Sequence, residues 1–471
     1  MEHGIIKRQK HLHGEQNKVS IDDRLSDLPD SVLCRILSFL RTKVSVRTSI
    51  LAKRWRYVWS YVPDLYFRND KQYAITRVLM LRKVQYITTF RLVDGDGDGC
   101  IFFKENKEKH ETDLDKYLTD TWITFVVERN VKRLHLSFRS RDRDHDHVIP
   151  CLPVCLFTCK TLVDLKLESC GVIPTRVTVC LPRLKKLHLL FVRYEADESI
   201  PHLLSGCPVL EDLRIELYPS IVYCHVSSPT VKRLVLNFIE ASCGGRADRL
   251  EINTPSVEYL EIRDYFTEHI ECGAALTSLT EADICFEDDS YVKQDYFYYS
   301  QSLLKFFDTL CNVERLKLDV SDCPEIIDSV LSAWTTSFRN LTKLDLKADC
   351  RVLAKFLENA DNLEILRFFE EYNDDEERSE ERKGWKERPQ QVAACLLSHL
   401  RIVKLVNIRG EKHELEIINY LLRNAKVLER MEISYPESFG SNKEINMLKN
   451  ISLFHRGSAV CEVAFGGSCW W

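Results

Sequence analysis

The sequence predicts an α/β repeat solenoid with a small three-helix unit at its amino-terminal end. Three observations point there. A short apolar pattern recurs from residue 131 onward, helical apolar spacing is dense between residues 27 and 59, and 45% hydrophobic with 29% charged residues suits a folded chain of 471 residues. That length admits about three ordinary domains or one long repeat array. With 66 Lys and Arg against 71 Asp and Glu, the net charge of −5 argues against nucleic acid as a partner. No stretch approaches the roughly 18 uninterrupted apolar residues of a membrane helix, so no membrane association is expected. The polar start from Met1 to Lys18 lacks the apolar run of a signal peptide, and a nuclear or cytoplasmic location is expected. The 18 cysteines are scattered through the chain and read as buried thiols, among them Cys34, Cys155, Cys285 and Cys395.

Residues 1–20, with Lys7-Arg8-Gln9-Lys10, are polar and aperiodic and read as a disordered arm. Residues 21–67 form the helical unit. Val32, Leu33, Ile36, Leu37 and Leu40 follow the three-and-four spacing of one helix face, with Asp27 as candidate cap and Pro29 in the first turn. Thr42 is placed to cap a second helix carrying Val44 and Val46, and Trp55 and Trp59 share a face on a third. A unit of about 40 residues is too small to hold a core alone, so it must rest on a neighbouring domain or a partner.

The run Leu28-Pro29-Asp30, then Leu33, Ile36-Leu37, Leu40, Val46, Ser49-Ile50-Leu51, Lys53-Arg54-Trp55-Arg56 and Trp59, resembles an F-box. The resemblance implies docking on a Skp-type adaptor and, through it, on the cullin of a cullin-RING ubiquitin ligase. Carried over by residue, Leu28, Pro29, Leu33, Ile36, Leu37, Leu40, Val46, Leu51 and Trp55 are expected to meet that adaptor or to support the contact.

From residue 131 an apolar residue, two variable ones, an apolar, a variable and an apolar recur. The pattern reads Val131/Leu134/Leu136, Leu162/Leu165/Leu167, Leu184/Leu187/Leu189, Leu210/Leu213/Ile215, Val231/Leu234/Leu236 and Val257/Leu260/Ile262. Later copies are Val313/Leu316/Leu318, Leu341/Leu344/Leu346, Leu363/Leu366/Phe368, Leu400/Val403/Leu405 and Leu428/Met431/Ile433. From Leu162 to Val257 the starts lie 21 to 26 residues apart, near the period of about 20–29 of leucine-rich repeats. Each unit supplies a strand and a return segment, and only stacking buries a continuous core. The solenoid is assigned to 84–369 and is irregular, with His202 to Pro208 and Leu303 to Leu310 as returning helices or turns. Residues 370–390, with Asp374-Asp375-Glu376-Glu377, read as a solvated charged loop. Residues 391–466, with Cys395-Leu-Leu-Ser-His-Leu400 and Cys461-Glu-Val-Ala-Phe465 after a Trp385 and Pro389 lead-in, resemble the FBD domain that follows F-box and leucine-rich repeats in many plant proteins.

Competing constellations are weaker. Asp94-Gly-Asp96-Gly-Asp98-Gly99 with Glu105 fits the spacing of an EF-hand calcium loop, but Phe102 stands at its ninth position, a strand-like segment precedes it and no second hand exists; a flexible turn is the favoured reading. His145, His147, Cys151, Cys155 and Cys159 lack zinc-site spacing. No phosphate-binding loop, dinucleotide fingerprint, HExxH or GxSxG is present, so neither catalysis nor a cofactor is expected. Lys132-Arg133, Lys185-Lys186 and Lys232-Arg233 fall on the expected concave face, where Glu211-Asp212, Glu258 and Glu261 interrupt them. The resemblances together imply a non-catalytic substrate-recognition subunit of a ubiquitin ligase with an unknown protein substrate. The alternative is an interaction scaffold outside any ligase. Exposure of Leu33, Ile36 and Leu37 separates the two, because a free apolar patch implies a partner.

Overall fold

A computed structural model describes residues 25–94 apart from 26, 113–138, 152–217, 221–238, 249–264, 269–286 apart from 274, 296–321, 330–370, 385, 389, 391–436 and 441–467. The calcium-loop candidate beyond Asp94 lies outside the described residues, as do His145, His147, Cys151 and most of the charged stretch at 371–390.

The chain opens with α1 (Asp30–Leu37) and α2 (Thr42–Arg47), followed by three short 3-10 turns at Thr48–Ile50, Lys53–Arg56 and Val58–Tyr61. The expected third helix is therefore a series of turns, with Trp55 and Trp59 on separate ones. Asp27 does not cap α1, because Pro29 occupies the cap position and no side chain bonds there. Nor does Thr42 cap α2: it is the first helical residue, and its hydroxyl accepts the Tyr66 N–H at 2.8 Å instead.

The solenoid follows as β1 (Asp64–Arg68), α3 (Gln72–Met80), β2 (Thr89–Asp94), α4 (Asp113–Val127), β3 (Arg133–Phe138), β4 (Asp164–Glu168), β5 (Val172–Ile173), β6 (Lys186–Leu190), β7 (Arg193–Tyr194) and α5 (Ser199–Ser205). Its middle holds β8 (Asp212–Leu217), β9 (Tyr223–Ser227), β10 (Arg233–Phe238), β11 (Arg249–Asn253), β12 (Tyr259–Asp264), β13 (His269–Cys272) and β14 (Glu281–Phe286). The remainder comprises α6 (Tyr296–Thr309), β15 (Arg315–Asp319), β16 (Lys343–Lys347), α7 (Cys350–Asn359), β17 (Ile365–Phe369), α8 (Ala394–Ser398), β18 (Ile402–Val406), α9 (Lys412–Asn424), β19 (Arg430–Tyr435), α10 (Ser441–Ser452) and β20 (Glu462–Gly467).

Fifteen of these strands make one parallel sheet, in the order β1-β2-β3-β4-β6-β8-β10-β12-β14-β15-β16-β17-β18-β19-β20. The register puts apolar residues in continuous rows. Leu165, Leu187, Leu213, Leu234 and Leu260 stand beside one another, as do Leu167, Leu189, Ile215, Leu236 and Ile262. All ten are buried, because alternation along each strand turns them to the face covered by the return segments.

A backbone device holds the repeats in phase. The carbonyl just before each strand accepts two N–H groups from the next repeat: Val163 O from Lys185 and Lys186, Lys185 O from Glu211 and Asp212, Glu211 O from Lys232 and Arg233. The same step recurs from Pro63 to Arg401, so polar groups at the strand entrances are satisfied by the neighbouring repeat.

The return side changes along the molecule. The returns expected at His202 to Pro208 and Leu303 to Leu310 fall at α5 and α6, and α9 is a further helix, but β9, β11 and β13 form a second parallel sheet in the middle. Those segments alternate Cys224 with Val226 and Leu250 with Ile252 as buried positions, a period of two that a helix cannot bury on one side. After β17 the sheet continues without a break through β18, β19 and β20, with α9 and α10 on the return side. Trp385 is buried and meets the Tyr420 ring edge-on at 5.1 Å. Among the described residues no helix is long and apolar enough to cross a membrane.

Candidate docking surfaces

The amino-terminal unit has its own small core of Leu33, Leu37, Trp55, Val58, Trp59 and Val62, with Leu28, Val46 and Ala52 partly buried against it. Arg54 ties the unit shut by donating to the Leu28 carbonyl at 2.5 Å and to Asp30 Oδ1 at 3.0 Å. Ser45 Oγ donates to the Leu37 carbonyl at 3.0 Å, joining α1 to α2.

The unit is also fastened to the solenoid. Val78 of α3 packs against both cores, Arg82 donates to the Trp59 carbonyl at 2.9 Å, and the Lys83 N–H reaches the Ser60 carbonyl at 3.1 Å. Burial lowers the Arg82 guanidinium to about 10, against the opposing pull of Cys34 and Asp64.

Away from the solenoid the unit leaves apolar groups in water. Ile50 is 84% exposed, Phe39 74% and Leu51 66%, and Leu25, Val32, Ile36, Leu40 and Val44 are also exposed. Arg35, Arg41, Lys43, Arg47, Lys53 and Arg56 of the same unit are exposed as well. Twelve Lys and Arg against four Asp between residues 25 and 86 make this end strongly basic in a chain of net charge −5.

On the sheet, the face opposite the core is open and carries three rows of side chains. Two are laced with ion pairs of alternating sign, such as Lys186–Asp212 at 3.4 Å, Arg315–Glu281 at 2.6 Å and Lys347–Asp319 at 3.2 Å. The basic pairs expected there are neutralised in the same way, Lys185 by Glu211 at 2.7 Å and Lys232 by Glu258 at 3.1 Å. At the centre, Arg233 lies 3.8 Å over the Tyr259 ring, whose hydroxyl donates to Glu261 at 2.9 Å. Among the described residues no group of His, Cys, Asp and Glu is arranged to hold a metal ion.

Comparison with known proteins places both parts. The F-box domain family matches residues 25–66, and the family described as the At1g61320/AtMIF1 LRR domain matches 101–456. The F-box/FBD/LRR-repeat protein At5g56420 of Arabidopsis thaliana is 30% identical over 464 residues, covering 95% of this chain and 100% of the relative. The probable FBD-associated F-box protein At1g32375 of the same plant is 30% identical over 458 residues, covering 94% of this chain and 100% of the relative. The chain belongs to the F-box/FBD/LRR-repeat proteins.

Membership brings the general role of a substrate adaptor, a class whose F-box generally binds Skp-type adaptors and whose members are generally non-catalytic. Within this F-box, the nine sequence-predicted residues divide into two sets. Leu33, Leu37 and Trp55 lie in the F-box core, with Leu28 and Val46 partly buried beside them, so of Leu33, Ile36 and Leu37, whose exposure was to separate the two functional readings, only Ile36 is exposed. Pro29, Ile36, Leu40 and Leu51 face solvent. The exposed Val32, Phe39, Val44 and Ile50 were not among those nine. For Val32 the signal is that α1 is apolar on two faces, one more than its own core requires.

Proposed function

We propose that the exposed apolar face of the F-box docks on a Skp-type adaptor and thereby on a cullin, making this protein the substrate-recognition subunit of an SCF-type ubiquitin ligase whose open sheet face takes a protein substrate. The observation that carries this reading is the exposure of Phe39, Ile50 and Leu51 on a unit whose core is complete without them. Apolar groups left in water mark a partner surface, and the exposed basic residues of the same unit favour an acidic partner. The mechanism is proximity: tethering raises the effective concentration of substrate lysines beside the ubiquitin-carrying enzyme. Nuclear or cytoplasmic location fits this role.

Binding of the purified chain to a Skp-type adaptor, measured by biolayer interferometry, tests it. Phe39→Asp and Ile50→Asp are expected to weaken binding at least about tenfold, about 1.4 kcal/mol, while the circular dichroism melting curve stays unchanged. An intact, folded wild type that does not bind would sink the ligase reading and leave the interaction scaffold.

A further inference from the structure

The middle row of the open face is divided along its length. Over the first six rungs it reads Tyr66, Arg91, His135, Lys166, His188 and Arg214, with no acid in six adjacent strands. Beyond the buried Val235 it turns to Glu261 and Asp283. Flanking carboxylates answer only the later basic residues of the stretch. Glu168 pairs with Lys166 at 3.1 Å, Asp212 with His188 at 3.5 Å, and Glu216 with Arg214. Asp64 is taken by Arg133 at 3.6 Å, and Asp164 stands between Arg133 and Lys186 in the outer row.

Arg91 and His135 are left over. Among the described residues Arg91, which is exposed, has no ion-pair partner, and His135 Nε2 is buried without a hydrogen bond. Burial, reinforced by Lys166, Arg91 and His188 and opposed by Glu168, holds His135 down to about 4. Phe90 and Leu92 point into the core, so Arg91 points out, and Lys166 lies two strands on, about 10 Å away, with His135 between. The unanswered charge of Arg91, in a row that continues through His135 to Lys166 with no acid in it, is complementary to an anionic group lying across those strands.

We propose that the Arg91–His135–Lys166 floor is a subsite for an acidic segment of the protein substrate, whose carboxylates lie across the first rungs next to the F-box. This inference rests on the reading of the open face as the substrate surface, and its test is independent of the adaptor.

The test measures fluorescence anisotropy of a labelled eight-residue glutamate peptide with the full-length protein. Wild type is expected to bind the peptide and not its glutamine counterpart. Arg91→Glu should weaken binding at least about tenfold, His135→Asp should also weaken it, and Lys404→Glu at the far end of the same face should leave it unchanged. An unchanged circular dichroism melting curve in each variant reports an intact fold, whereas an adaptor-negative wild type that still binds the peptide would sink the ligase reading alone. Equal binding by Arg91→Glu and wild type, no binding by wild type, or preference for a single-stranded oligonucleotide of equal charge would each overturn the proposal.

Discussion

Ile36 and Leu37 are adjacent and chemically alike, yet one is 37% exposed and the other 1%, because successive residues on a helix point about 100° apart. The sequence shows that both are apolar and in helical register, but their direction depends on where the turn bearing Trp55 packs. His413 makes the same point about charge. Its Nε2 lies 3.0 Å from Glu370 Oε2 with both residues buried, a meeting across 43 positions that no local pattern announces. Burial alone would lower the imidazole, but the bond to Glu370 and the charges of Glu370, Glu414 and Glu411 outweigh it and raise it. A histidine raised in the folded state stabilises fully below its unfolded value of about 6.5 and loses that contribution as pH climbs through the folded value. The urea midpoint is therefore expected to fall as pH rises from about 6 to about 8.5, and His413→Gln should flatten the curve over that window. An identical pH profile in the variant would remove His413 as the source.

Among elements, the strands were the most legible, because two inward residues per strand leave a spacing that survives substitution. Two strands escaped the reading although they carry that spacing, Val62/Leu65/Phe67 and Leu279/Ala282/Ile284, while Ile87/Phe90/Leu92 was read as strand-like but not as a copy of the repeat. Phenylalanine and alanine in place of leucine disguised them. The return sheet of β9, β11 and β13 was missed because segments of four or five residues satisfy strand and turn equally well until their neighbours pair with them. Close approach is also invisible locally. The Gly457 N–H donates to the Leu422 carbonyl at 2.7 Å, and a Cβ at this position would stand 2.4 Å from the Arg423 carbonyl oxygen at the end of α9. Gly457→Ala is expected to cost about 1–3 kcal/mol and to lower the melting temperature, since backbone cannot yield as a flexible side chain can. An unchanged melting temperature would mean that the segment shifts freely.

At the scale of the whole molecule, stability is a nearest-neighbour property, since each repeat buries its rows only against the next. β20 pairs with β19 through six residues and lays Val463 and Phe465 beside Met431 and Ile433. A chain ending at residue 436 loses that cover and leaves β19 as a bare edge. Such a truncation is expected to aggregate more than the full chain, as measured by static light scattering at matched concentration. A truncated chain that stays monomeric would show β20 to be dispensable. The unit at the opposite end carries the basic charge, so the two ends of the solenoid present different chemistry to solvent.

The sequence by itself determined the architecture and the family: apolar spacing specifies strands that must stack, and the Leu-Pro and Lys-Arg-Trp segments specify the helical unit at the start. Periodic signals are local and redundant, so losing one leucine in a row changes little. Tertiary structure alone decided which of the nine predicted residues lie in the F-box core and which face water, that strands rather than helices fill the middle returns, and that among the described residues Arg91 and His135 remain without a carboxylate while their neighbours are paired. Those outcomes depend on distances between residues far apart in the chain, and burial and charge pairing are settled only when the repeats are brought into register.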